Sequence, residues 1–154
     1  MRKLKCIGIS SLLCVCVYAS LAFALEHTTI KSYPDRSFLT GWTHCINTPN
    51  GILWYNSQTG AGVVGRVDGA GIHTSIKILK FSPGWTHIVN TSNGILYYNS
   101  QTGAGALGRI DDAGNHATIK TLKFSPGWTH IVATSNGILY YNSQTGAGAV
   151  GRIE

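Results

Sequence analysis

The chain has 154 residues and a formal net charge of +6. Arg2, Lys3 and Lys5 supply half of that surplus, and the other cations recur singly rather than in a patch, which argues against nucleic-acid binding. Cys6, Cys14 and Cys16 share the same N-terminal stretch and leave Cys45 alone, so no disulfide framework is expected to hold the fold.

From the N-terminus, the three cations are followed by a mostly apolar run over 6–18 and then by Ala22-Phe23-Ala24. This is the order of a secretory signal peptide with a small-x-small cleavage site. The run is short for a membrane span, which needs roughly 20 residues. A signal peptide over 1–24 is expected, with an exported domain over 25–154 and no span after processing. A retained signal anchor is the competing reading. Cys45 stands where later units carry Ile88 and Ile131, so a buried apolar role is expected for it.

A repeat then takes over. Residues 38–80, 81–123 and 124–154 are near-copies, and Trp42, Trp85 and Trp128 mark a period of 43 residues. Such a period signals a repeat array. In the second copy, four runs of strand character fall at 85–91, 95–99, 106–110 and 116–123. Ser92-Asn93-Gly94 reads as a tight hairpin, since Asn and Gly tolerate the positive φ it needs. No helical periodicity is visible after residue 24. The sequence predicts an all-β fold, a β-propeller of four-stranded blades with three blades per chain.

Residues 26–31, EHTTIK, match 115–120, NHATIK, in the fourth run of a unit, and the third unit reaches only its third run. The N-terminal run is thus expected to serve as an orphan fourth strand that completes a last blade and closes a ring. Propellers have four to eight blades. Three per chain therefore suggest a homo-oligomer, with two chains giving six; an open three-blade arc is the other possibility. A β-trefoil, also three units of four strands, is the alternative fold.

Gly-Trp-Thr-His-Ile-Val at 84–89, Ser-Asn-Gly-Ile-Leu-Tyr-Tyr at 92–98, a glycine-rich turn and Gly-Arg-Ile at 108–110 together resemble a tachylectin-type repeat. The resemblance extends from about Gly41 to the C-terminus. It implies a five-bladed propeller lectin that binds N-acetylglucosamine or N-acetylgalactosamine in pockets between blades. Repeat length, repeat number and turn sequences depart from that pattern. Residues 51–60, GILWYNSQTG, are similar to FG-GAP/VCBS-type propeller repeats, which carry a calcium loop of alternating Asp. The matching turns here, 48–51 and 91–94, hold no carboxylate, so calcium is not expected.

Catalysis is not expected either. Asp68 and Asp111 sit at strand ends beside Arg66 and Arg109, where turn or ion-pair roles suffice. His44, His87 and His130 recur, as do His27, His73 and His116, but neither set has the local spacing of a zinc site. Structural hydrogen bonding is expected for them, with no metal and no cofactor.

The aromatic set is the candidate ligand-binding set: Trp42, Trp85 and Trp128 before the first strand, and Tyr55, Tyr98 and Tyr141 at the end of the second. Asn56, Asn99 and Asn142, with Gln58, Gln101 and Gln144, follow on the adjoining turn. An aromatic face packs on the C–H groups of a sugar while amides bond its hydroxyls. The competing reading makes the aromatics blade core and Asn-Ser-Gln-Thr-Gly a turn capped by its own side chains. The expectation is an exported, multivalent, lectin-like module whose partners are glycans and copies of itself. A structural or protein-interaction propeller without sugar binding is the alternative.

Overall fold

A computed structural model describes residues 27–154. The expected signal peptide, 1–24, lies outside the described residues. Among these there is no helix; eleven strands form three antiparallel sheets. Blade 1 holds β1 (His44–Thr48), β2 (Gly51–Tyr55), β3 (Ala61–Val67) and β4 (His73–Lys80). Blade 2 holds β5 (His87–Thr91), β6 (Gly94–Tyr98), β7 (Ala104–Ile110) and β8 (His116–Lys123). Blade 3 holds β9 (His130–Thr134), β10 (Gly137–Tyr141) and β11 (Gly148–Gly151).

Each sheet is a simple meander. The Ser92-Asn93 turn pairs Thr91 with Gly94 directly, and Thr91 Oγ1 donates to Gly94 O at 2.7 Å. No strand of one blade pairs with a strand of another. A trefoil would mix strands of its three units around one axis, so that alternative is not the arrangement seen.

A single sheet has no interior, and the core accordingly lies between blades. Leu53, Tyr55 and Val64 of blade 1 pack on Phe81, Ile88, Ile95, Tyr97 and Ile110, which begin and build blade 2. Leu96, Tyr98 and Leu107 pack in the same way on Ile131, Ile138, Tyr140 and Ile153 of blade 3. This explains why β6 is apolar at successive positions instead of alternating: its two faces lie against two different neighbours.

The seams are also hydrogen-bonded, identically in each copy. His44 Nε2 meets Thr86 O at 3.0 Å, and His87 Nε2 meets Thr129 O at 2.9 Å. Tyr55 donates to Ser82 O at 2.8 Å and accepts from Trp85 N at 3.2 Å; Tyr98 does the same with Ser125 and Trp128. Asn50 Nδ2 donates to Ile110 O, and Asn93 Nδ2 to Ile153 O.

The ring does not close within the described residues of one chain: the described part of the expected fourth strand, 27–31, is exposed and is not a strand there, and β11 pairs only with β10. Within one chain this segment lies against Gly71 of blade 1, with the whole of blade 2 between it and β11, so it has no ladder to join. Cys45 is exposed rather than buried. It occupies the place of Ile88 and Ile131, but on the blade that no other blade precedes among the described residues.

Candidate functional site

The phenylalanine that opens each unit sets the site. In blade 2, Phe81 stands 5.7 Å from the Tyr97 ring and 4.8 Å from the His116 ring, and Trp85 lies 5.9 Å from Tyr97. With Lys80, Ser82, Ala106 and Thr118 these residues line a cavity of about 190 Å³. Blade 1 repeats it position for position: Phe38, Trp42, Trp54 and His73, with Ser37 and Ser75, line a cavity of about 130 Å³. There the Trp54 and His73 rings meet edge to face at 4.8 Å.

The histidine reaches this place because of a bulge and a glycine. The β7–β8 register shifts at Leu107/Gly108, and a methyl group on Gly108 would collide with His116 Nε2. The β3–β4 pair shifts at Val64/Gly65, where a methyl group would meet His73 Nε2. Both Nε2 atoms, together with the Tyr97 hydroxyl, are buried and find no hydrogen-bond partner among the described residues. A buried polar atom without a partner costs about 1–3 kcal/mol. Each cavity thus couples aromatic walls with exposed hydroxyls, those of Ser82 and Thr118 in blade 2 and of Ser37 and Ser75 in blade 1, while the histidine Nε2 atoms are shut off from solvent against the bulge glycines, an arrangement suited to a small amphipathic ligand.

Burial lowers the His116 pKa below its ordinary value of 6.5 and pushes the Tyr97 hydroxyl well above its own. Both groups are therefore neutral near pH 7. Because the folded His116 resists a proton that the unfolded chain accepts, its contribution is full above pH 6.5 and is lost as the pH falls toward its lower folded pKa. Thermal melts between pH 7.5 and 5 should show His116→Gln losing less stability than wild type over that range. Parallel curves would remove burial of His116 as the cause.

Only part of the expected ligand set is brought together. Trp42 and Trp85 line the two cavities. Trp128 lies 6.0 Å from Tyr140 in blade 3, but β11 has no outer neighbour and no histidine closes the place. Tyr55 and Tyr98 are fully buried in the seams, and Tyr141 lies on the outer face of blade 3. Asn56 Nδ2 donates to Gly41 O, and its Oδ1 accepts from Gln58 N and Thr59 N; Asn99 and Asn142 cap their turns identically. Gln58, Gln101 and Gln144 are exposed on those turns, away from the cavities.

Sequence reasoning passed over Phe38 and Phe81, chose Tyr55 and Tyr98 where their neighbours Trp54 and Tyr97 line the cavities, and expected only structural hydrogen bonding of His73 and His116. The signal was present: a phenylalanine before Gly-Trp and a histidine opening the fourth strand recur at the same place in successive units.

A larger cavity of about 300 Å³ lies between the hairpin turns of blades 2 and 3, bounded by Ser92, Asn93, Asn136, Arg152 and Glu154. It has no aromatic wall and so offers no face on which a ligand ring could stack. Among the described residues no group of His, Cys, Asp and Glu is placed to hold a metal ion.

No family model matches the chain, and no curated protein matches it. Among solved structures, a Lactobacillus plantarum protein from a structural-genomics consortium shares 17% identity at a TM-score of 0.41. The match covers 66% of this chain and 38% of that one, a likeness too slight to bear on fold or function.

Proposed function

We propose that the protein is an exported, non-enzymatic, multivalent carbohydrate-binding module of propeller type, taking N-acetylated amino sugars on glycans. The observation that carries this reading is the recurrence of one aromatic-and-histidine cavity, position for position, in two successive blades. An acetamido sugar offers a methyl group and C–H faces to Trp85, Tyr97 and Phe81. Its amide and hydroxyls suit the exposed hydroxyls of Ser82 and Thr118. The cavities are smaller than the roughly 300–1,000 Å³ of drug-sized sites. Each therefore suits one sugar ring, with the rest of a glycan outside. Weak single sites on a rigid arc gain strength on a glycan-coated surface through avidity.

Retention on immobilised N-acetylglucosamine, eluted by the free sugar, is the test. Trp85→Ala or Trp42→Ala should each lower retention, and the double variant should lower it further while the protein stays folded. Capture of partners that no free sugar displaces would instead favour a protein-interaction module.

A further inference from the structure

Two faces of the chain are bare, and each duplicates a face that is buried elsewhere in the same chain. On blade 3, Tyr141 is 38% exposed where Tyr98 is 0%, and Leu139 is 40% exposed where Leu96 is 0%. Val132 and Val150 are bare beside them. On blade 1, Phe38 is 39% exposed where Phe81 is 8%, with Cys45 and Val67 uncovered where Ile88 and Ile110 are buried. The first face is the type that packs forward onto the next blade, and the second the type that receives it. Both seams inside the chain join one face of each type.

The polar groups of these faces are left over in the same pattern. His130 lacks the carbonyl that His44 and His87 find across a seam, and Asn136 lacks the one that Asn50 and Asn93 find. The hollow lined by Asn47, Asn50, Ile52, Arg66 and Val67 matches, position for position, the wall that Ala133, Asn136, Ile138, Arg152 and Ile153 contribute to the groove against blade 2.

The N-terminal segment points to the same partner. A methyl group on Gly71 would meet Lys31 and Ile30, as one on Gly114 would meet Lys77 and Ile76 of the preceding blade. Residues 27–31 are thus held where the fourth strand of a blade before blade 1 belongs. Tyr33 anchors them there, donating to Gly71 O at 2.8 Å and accepting from His73 N at 2.6 Å. Between this segment and blade 1 runs an apolar groove of about 420 Å³, lined by Ile30, Phe38, Ile52, Trp54 and Val67.

The geometry points to a second copy of this chain as the occupant of that groove. Blade 3 of one copy enters between the N-terminal segment and blade 1 of the other, and the reverse contact closes the ring. Two copies make six blades, within the four to eight that propellers use, whereas three copies would make nine. In the closed ring, Tyr141 bonds Leu39 O and Trp42 N of the second copy, His130 bonds Thr43 O, and Asn136 bonds Val67 O. The segment 27–31 pairs with the free edge of β11. His27, which matches His73 and His116, then completes beside Phe124, Trp128 and Tyr140 the third cavity that one chain leaves open.

This inference stands apart from the sugar reading, since its test needs no ligand. Light scattering on the purified chain at micromolar concentration should give the mass of a dimer. Tyr141→Arg should raise the dimer dissociation constant about 30-fold or more, as loss of a buried aromatic anchor does. Asn136→Ala, at an exposed turn, should weaken it more mildly without touching the fold. A monomeric wild type, or a dimer indifferent to both substitutions, would overturn the proposal.

Discussion

Tyr98→Ala should lower the unfolding free energy by about 3–5 kcal/mol, the range for removing a fully buried aromatic ring. The side chain is 0% exposed, packs edge-on to Phe124 at 5.7 Å, and ties Ser125 O and Trp128 N of the next unit. Its loss therefore opens the seam rather than a pocket inside one sheet. Tyr98→Phe separates the ring from the hydroxyl and should cost about 1–3 kcal/mol, since two hydrogen bonds, to Ser125 O and from Trp128 N, are lost at roughly 0.5–1.5 kcal/mol each. Against a total stability of roughly 5–15 kcal/mol, the alanine variant should lose about a fifth or more of the whole. Chemical denaturation followed by tryptophan emission would check both. An alanine cost under about 1 kcal/mol would mean that the seams do not carry the fold.

Gly103→Ala should be the second most damaging change, and Gly146→Ala supplies its internal control. Both glycines occupy the same place in the repeat with nearly the same backbone, φ 70° and 74°. An alanine in that region costs about 1–2 kcal/mol from its own sterics. At Gly146 the added methyl group meets nothing within 4 Å. At Gly103 it strikes the carbonyl of Phe124, whose amide donates to Gly103 O at 2.8 Å where the chain passes into the next blade. The obstacle is backbone and cannot rotate away. Measured in the monomeric Tyr141→Arg background, Gly103→Ala should therefore cost about 1–3 kcal/mol more than Gly146→Ala, the scale of forced overpacking. Equal costs would show that the turn, not the passage between blades, sets the requirement for glycine.

The architecture was legible because its signals are local. Asn-Gly after Ser92 marks a hairpin whatever lies around it, and the 43-residue spacing of Trp42, Trp85 and Trp128 announces repeated units before any strand is assigned. The site was less legible because its parts are joined by facts that no local pattern carries. His116 lies over Gly108 only because the β7–β8 ladder slips by one residue there. Phe81 reads as a linker residue, yet its ring rests on Gly62 of the preceding blade, where any Cβ would displace it. Asn56, Asn99 and Asn142 have the chemistry of sugar ligands, but cap the turns they begin. Cys45 reads as buried by analogy with Ile88, and the analogy fails because burial at that position comes from a preceding blade. Repetition makes residues equivalent in sequence, while a chain of finite length makes their surroundings unequal.

Hydrogen–deuterium exchange with and without saturating N-acetylglucosamine tests the central claim most directly. A ligand seated in the repeated cavities should slow exchange at 80–85 and 116–118 in blade 2 and at 37–42 and 73–75 in blade 1. The Gln58 and Gln101 turns should be unchanged. Protection confined to those turns, or none at any sugar concentration, would contradict the account.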